Sequence, residues 1–338
     1  MTLMEFFSIK KKLISVSLAG TMILCGCNKK ETFQHDEGMI WNTLYHISYS
    51  SAQNYNDSII NIMNRVGKSL SIFDNNSLVS KVNSQDTTKI DDFFETVYLT
   101  SLKVNKNSKG MFDPTVSPLI TAWGFGPGHD LTADSLVIDS VMDFVGIQKT
   151  KLTDEGFLIK EDKRTQFNFS AIAKGFGCDI VGEMFKRNNI ENYMVEIGGE
   201  ITVAGMSPSG KKWRISIDTP EYETDVITHN SFTIIEVTDC GIATSGNYRN
   251  YHETENGIVA HTISPITGYP VQTEIISATV IAPTAMEADA VATACMASGL
   301  EDAKEILSLM GFEALLILQK GTYLTPGFIN LIIKEDKP

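Results

Sequence analysis

Asp289 and Thr293 stand four residues apart, interleaved with Ala288, Ala290, Ala292 and Ala294. In a helix this spacing puts the carboxylate and the hydroxyl on one face. The small neighbours let other groups approach closely. Two hard oxygens suit Mg²⁺, which takes few protein ligands and completes its shell with phosphate oxygens and water. The same pair also reads as a structural Asp–Thr hydrogen bond inside an Ala-rich packing helix. Just upstream, a strand-like run from Ile275 to Ala282 enters Pro283. Thr284 followed by Glu287 is then the capping-box arrangement of a helix start.

Three further segments could carry chemistry. Asn168 to Asp179 reads NFSAIAKGFGCD. Ser170 can cap a helix beginning near Ala171. Lys174 would fall in its first turns, a poor place for a cation unless an anion is close. Open backbone N–H groups beside a lysine make a phosphate site; the plain alternative is a surface lysine on a helix that Gly175 and Gly177 let pack tightly. A polar turn, Thr244 to Arg249, precedes His261 and a Pro/Gly-containing loop. A histidine, with its ordinary pKa of about 6.5, can serve there as general base, or it is a hydrogen-bonded structural residue. Phe112 to Gly126 reads FDPTVSPLITAWGFG. Its aromatic residues beside glycines can stack on a planar ring or fill the core behind a buried turn.

Periodicity supplies the elements that would hold these groups. Helical spacing runs through 57–70 (Ile59, Ile60, Met63, Val66, Leu70) and 91–104 (Phe94, Val97, Tyr98, Leu102). Further helices are expected over 171–187, 284–299 and 301–310. Strand-like runs occupy 193–197, 200–204, 213–218, 232–238, 275–282 and 314–319. Helices and strands intermix without a βαβ rhythm, which indicates an α+β fold with mainly antiparallel sheet. A P-loop, a strand-linked GxGxxG, HExxH and GxSxG are all absent from the sequence.

The 338 residues carry a net charge of −13 with 43% hydrophobic and 20% charged residues. That is globular composition with ample core, and it argues against nucleic acid as a partner. At the N-terminus, Lys10, Lys11 and Lys12 precede the apolar run Leu13–Leu24. The run is shorter than the roughly 20 residues a membrane span needs, so residues 1–26 read as a signal peptide. Leu24-Cys25-Gly26-Cys27 resembles a bacterial lipobox, with Cys27 lipidated after cleavage. Residues 27–38 then form a lipidated tether, and the body, 39–334, sits extracytoplasmically at a membrane through its lipid anchor. Cys178, Cys240 and Cys295 show no metal-binding spacing and read as small buried residues.

Taken together and in order, these segments resemble the ApbE family of FAD:protein FMN transferases. The matching stretches are FDPTVSPL…WGFG, SAIAKG at Ser170–Gly175, YMVEIGGE at Tyr193–Glu200, ATSGNYR at Ala243–Arg249, HTISPITGYP at His261–Pro270 and APTAMEADAVAT at Ala282–Thr293. The resemblance implies an ApbE-like, T-fold-related α+β body of mainly antiparallel sheet with flanking helices. It implies FAD as substrate, with Mg²⁺ held by the Ala171 carbonyl, Asp289 and Thr293. Lys174 would meet the flavin nucleotide, with further FAD contacts at Phe73, Trp123, Gly124, Phe125, Asn168 and Ile263. His261 matches the histidine that the family needs for transfer to a Ser or Thr of an acceptor redox-protein subunit. The alternatives are an FAD pyrophosphatase using water as acceptor, and a flavin-binding lipoprotein without turnover. The chain departs from the family pattern at Ser264 and Asn168, where Asp is frequent. Trp41-Asn42-Thr43 replaces Met-Gly-Thr, and Ser117 replaces Gly.

Overall fold

The computed structural model describes residues 32–85, 87–125, 134–220, 230–246, 251–254, 257–260 and 262–333. All lie in the unit Thr32–Pro338. The signal segment, Cys27 and His261 fall outside the described residues. Among those described, no helix is long and apolar enough to cross a membrane.

The chain opens with a hairpin, β1 (Phe33–Ile40) and β2 (Thr43–Ser50), turning at Trp41-Asn42 with φ of 49° and 61°. Positive φ at both turn residues matches the natural twist of a two-residue hairpin. Residues 33–38 were expected in the tether. Instead they pair with β2 from Phe33↔Ser50 onward, so the body begins at Phe33 rather than at 39. Then come α1 (Asn56–Leu70), α2 (Leu78–Ser84), β3 (Thr87–Lys89), α3 (Asp92–Asn107), α4 (Ser117–Ala122) and α5 (Ser135–Met142). The short strands β4 (Thr150–Leu152) and β5 (Phe157–Lys160) join β3 in a small sheet. After α6 (Ala173–Arg187) follow β6 (Tyr193–Ile197), β7 (Glu200–Ala204), β8 (Trp213–Asp218), β9 (Ser231–Val237) and β10 (Cys240–Gly246). The chain continues through a hairpin, β11 (Tyr251–Thr254) and β12 (Gly257–Ala260), to β13 (Ile275–Ala282), α7 (Ala285–Met296) and α8 (Leu300–Met310). It closes with β14 (Glu313–Leu318), β15 (Thr322–Leu324) and α9 (Pro326–Ile329).

The main sheet is antiparallel with strand order β1-β2-β6-β7-β10-β13-β14-β15. Alternation along its strands sorts residues between two cores. Ala278, Val280, Ala314 and Leu316 join the core built with α1, α3, α6 and α7. Ile281, Leu315, Ile317 and Ile242 join Trp213, Ile215 and Ile235 of the β8–β9 hairpin on the other face. Coverage on both faces explains why 275–282 is apolar almost throughout. α1 buries Ile59, Met63, Val66 and Leu70, as its period predicts, but leaves Ile60, which that period also includes, exposed. α3 is capped by Asp91, whose carboxylate accepts the Phe94 N–H at 2.8 Å.

One helix start differs from expectation. α6 begins at Ala173, not near Ala171, and Ser170 does not cap it. The Asn168 side chain instead accepts the Ser170 N–H at 2.9 Å, holding 168–170 as a turn ahead of the helix.

Candidate active site

α7 starts as its sequence predicts, with Thr284 Oγ1 accepting the Glu287 N–H at 3.2 Å. Its N-terminus is also held from outside. Asp179 of α6 accepts the N–H groups of Ala285 and Met286 at 2.9 and 2.8 Å. In return, Asp289 of α7 accepts the Gly175 N–H in the first turn of α6 at 3.2 Å. Each helix thus lends a carboxylate to the positive end of the other. The contact is backbone to backbone: a Cβ at Gly175 would stand 2.2 Å from the Ala285 carbonyl oxygen. This exchange fixes Asp289 and Thr293 against the segment that carries Ala171 and Lys174.

These groups line one cleft of about 310 Å³. Of the residues selected from sequence, it brings together Asn168, Ala171, Lys174, Ile263, Asp289 and Thr293. Thr293 Oγ1 lies 3.3 Å from Ser245 Oγ at the end of β10. Lys174 forms an ion pair with Glu200 at 2.6 Å. Glu200 and Asp289 are each 3% exposed. These two carboxylates are the anions that a lysine in a first helical turn requires. Burial alone would lower the lysine's pKa, but the fields of Asp289 and Glu200 outweigh it and hold Lys174 above its ordinary value. Burial pushes Glu200 and Asp289 up, with Lys174 partly opposing it in both. The N–H groups of Ala173 and Gly175 are occupied by the Phe169 carbonyl and Asp289. An anion here would therefore meet the lysine before those two donors.

A second hollow of about 650 Å³ shares Ser170 and Lys174 with the first and is walled by Trp41, Leu70, Ile72 and Phe73. Phe73 is 77% exposed at its rim. The Trp41 ring packs where Gly177 leaves room; a Cβ there would stand 2.6 Å from it. Lys174 thus joins the cleft that holds Asp289 and Thr293 to a more apolar hollow.

Trp123, Gly124 and Phe125 line neither space. Trp123 Nε1 donates to the Gly268 carbonyl at 2.8 Å, and its ring meets Tyr269 edge-on at 5.6 Å. Trp123 and Phe125 pack with Leu119, Ile138 and Ile263 behind the 262–270 loop. Inside that loop Ser264 Oγ accepts the N–H groups of Ile266 and Thr267 at 3.3 and 3.2 Å, so this departure from the family residue serves the turn. His261 precedes Ile263 by two residues. Two site residues had no role in the sequence reading, Glu200 and Asp179. The signal for Glu200 was an unfavourably placed lysine lacking a counter-ion; nothing local marked Asp179. Among the described residues no cluster of three His, Cys, Asp or Glu side chains is placed to hold a metal. A cation here would rest on one carboxylate, one hydroxyl, a carbonyl and ligand oxygens.

The fold, an antiparallel sheet with two interlocked helices against it, is one that solved proteins share. The sequence matches the ApbE family over residues 41–316. It is 33% identical over 335 residues to a FAD:protein FMN transferase of Vibrio cholerae, covering 96% of this chain and 97% of that protein. A Haemophilus influenzae FAD:protein FMN transferase is 32% identical, with 95% and 96% covered. Among solved structures, the flavin transferase ApbE from Vibrio cholerae superposes with a TM-score of 0.78 at 29% identity, over 89% of this chain and 99% of that one. The apo flavinyl transferase ApbE of Pseudomonas stutzeri gives 0.80 at 26% identity, over 89% and 97%. The chain belongs to the ApbE family, and it is a transferase.

Proposed function

We propose that the chain transfers the FMN half of FAD to a Ser or Thr hydroxyl of an acceptor protein, with Mg²⁺ in the cleft and AMP as leaving group. The observation that carries this reading is the meeting of Ala171, Lys174, Asp289 and Thr293 on one cleft that shares Lys174 with the Trp41–Phe73 hollow. A dinucleotide has that form, with planar rings joined through a charged pyrophosphate. The donor set suits a hard cation. Asp289 Oδ2 is taken by Gly175, and no hydrogen bond from the described residues reaches its Oδ1. The Thr293 hydroxyl lies 3.3 Å from the Ser245 hydroxyl.

A bound Mg²⁺ would neutralise charge growing on the pyrophosphate as AMP departs. Ala171, Asp289 and Thr293 would hold it. Lys174 sets a second positive charge beside the same phosphates. The acceptor oxygen bonds to the FMN-side phosphorus while the phosphoanhydride bond breaks, its electron pair leaving on AMP. His261 takes the hydroxyl proton. With Cys27 lipidated, the reaction takes place at an extracytoplasmic membrane face, on a redox-protein subunit carrying a Thr- or Ser-containing acceptor motif.

The test mixes the full chain with FAD, MgCl₂ and such an acceptor and reads flavin fluorescence in a denaturing gel. A fluorescent acceptor band is expected, lost with EDTA, with Asp289→Asn and with His261→Ala. A band that survives His261→Ala removes the base but keeps the transferase. AMP and free FMN without a band would make the protein a pyrophosphatase instead.

A further inference from the structure

Glu200 opens β7 directly after the Gly198-Gly199 turn, whose φ values of 64° and 100° only glycine adopts freely. The turn delivers its carboxylate into the cleft at 3% exposure. Oε1 takes the Lys174 ammonium at 2.6 Å, while Oε2 is buried with no hydrogen-bond partner among the described residues. Burying a carboxylate and leaving one oxygen unused is an expensive way to stabilise a fold. The arrangement therefore calls for another explanation.

Lys174 lies in the field of two buried carboxylates, Asp289 and Glu200. It makes its ion pair with Glu200 and none with Asp289. Asp289 already spends Oδ2 on Gly175. An ammonium on Asp289 would compete with any cation for the oxygen that remains. We infer that Glu200 is a positioning residue that holds the Lys174 ammonium off Asp289, keeping that carboxylate free for a divalent cation while the lysine's charge stays in the cleft for a phosphate. This rests on the reading of Asp289 and Thr293 as Mg²⁺ ligands given above.

Glu200→Gln tests it. The amide keeps the shape of the side chain, leaves an oxygen for Lys174 and fills the position of the unpartnered Oε2. Among the described residues, the carboxylate then left acting on Lys174 is Asp289. The readout is the MgCl₂ concentration that half-saturates FAD binding to the full chain, followed by flavin fluorescence. Ligand-free melting checks folding. Glu200→Gln is expected to raise that concentration about tenfold, of the order that one competing charge produces. Lys174→Met removes the competitor, so the double variant should return to within about twofold of Lys174→Met alone, a non-additive cycle.

A double variant that stays about tenfold above Lys174→Met overturns the inference, because Glu200 would then act through its own charge. So does an unchanged Glu200→Gln. Should that variant not fold, Glu200→Asp keeps the charge but withdraws it by one methylene. It must also raise the half-saturating MgCl₂, and an unchanged value overturns the inference. Wild-type FAD binding that ignores MgCl₂ would overturn both this inference and the metal assignment beneath it. Failure of the Glu200 variants alone leaves that assignment standing.

Discussion

Asp179 shows how a residue outside the chemistry can decide whether the chemistry is in place. Its two oxygens take the first N–H groups of α7, and Asp289 and Thr293 ride on that helix. Asp179→Ala removes both acceptors and leaves the two N–H groups of α7 without that partner. The loss should be about 1–3 kcal/mol of stability, measured by urea unfolding at pH 5. The pH dependence has a definite sign. Enclosure between the helices lifts the Asp179 carboxyl from 3.8 to about 7, against the lowering effect of its N–H donors. Between those values the folded protein binds more protons than the unfolded chain, so this group's contribution falls as pH rises through the window. The stability gap between wild type and Asp179→Ala should therefore be wider at pH 5 than at pH 8. A gap that widens with pH would mean that the helix terminus, not burial, governs the group. Asp179 closes the NFSAIAKGFGCD segment and still had no legible role, because its partners lie more than a hundred positions along the chain.

The reciprocal grip of α6 and α7 also explains which features of the elements could be read from sequence. Periodicity placed α1, α3, α7 and α8, and strands β6, β7, β8, β9, β13 and β14, to within a few residues, whereas Thr244–Gly246, which reads as the start of a polar turn, is the end of strand β10. The four-residue spacing of Asp289 and Thr293 did put both on the cleft. What failed was the local cap rule at Ser170, since tertiary carboxylates satisfy donors that a side-chain cap would otherwise serve. The tightness of the contact was legible only as small residues; which backbone they admit was not. Gly241 of β10 makes that cost measurable. A Cβ there would lie 1.9 Å from the Ala285 nitrogen and 2.1 Å from the Thr284 carbonyl carbon. Neither atom can swing aside as a side-chain tip would. Gly241→Ala should cost at least about 1–3 kcal/mol in denaturant unfolding. It should also weaken the FAD binding proposed for the cleft, because α7 must shift and carry Asp289 with it. Lost stability with unchanged FAD affinity would show that the helix yields without disturbing the cleft.

The sheet ends on β1, and there the body's boundary becomes an energetic question. FQHDEGMI is polar enough to read as tether, yet an edge strand with one covered face needs only alternate apolar positions. Asp36 accepts the Tyr49 hydroxyl at 2.9 Å, and that same hydroxyl oxygen receives the Tyr55 N–H at 2.8 Å. Phe33 meets Trp213 edge-on at 6.2 Å, tying β1 to the far-face hairpin. The β1–β2 turn also carries Trp41, a wall of the hollow beside Lys174. Removing residues 1–31 spares all of these contacts, whereas removing 1–38 strips the strand and frees the turn. The longer truncation should lose on the order of 2 kcal/mol or more, lowering the melting midpoint by roughly 3 °C or more for a body of this size. It should also bind FAD more weakly than the shorter one in the same fluorescence titration. Equal melting and equal affinity for the two would return residues 33–38 to the tether and leave Trp41 positioned by α1 and α6 alone.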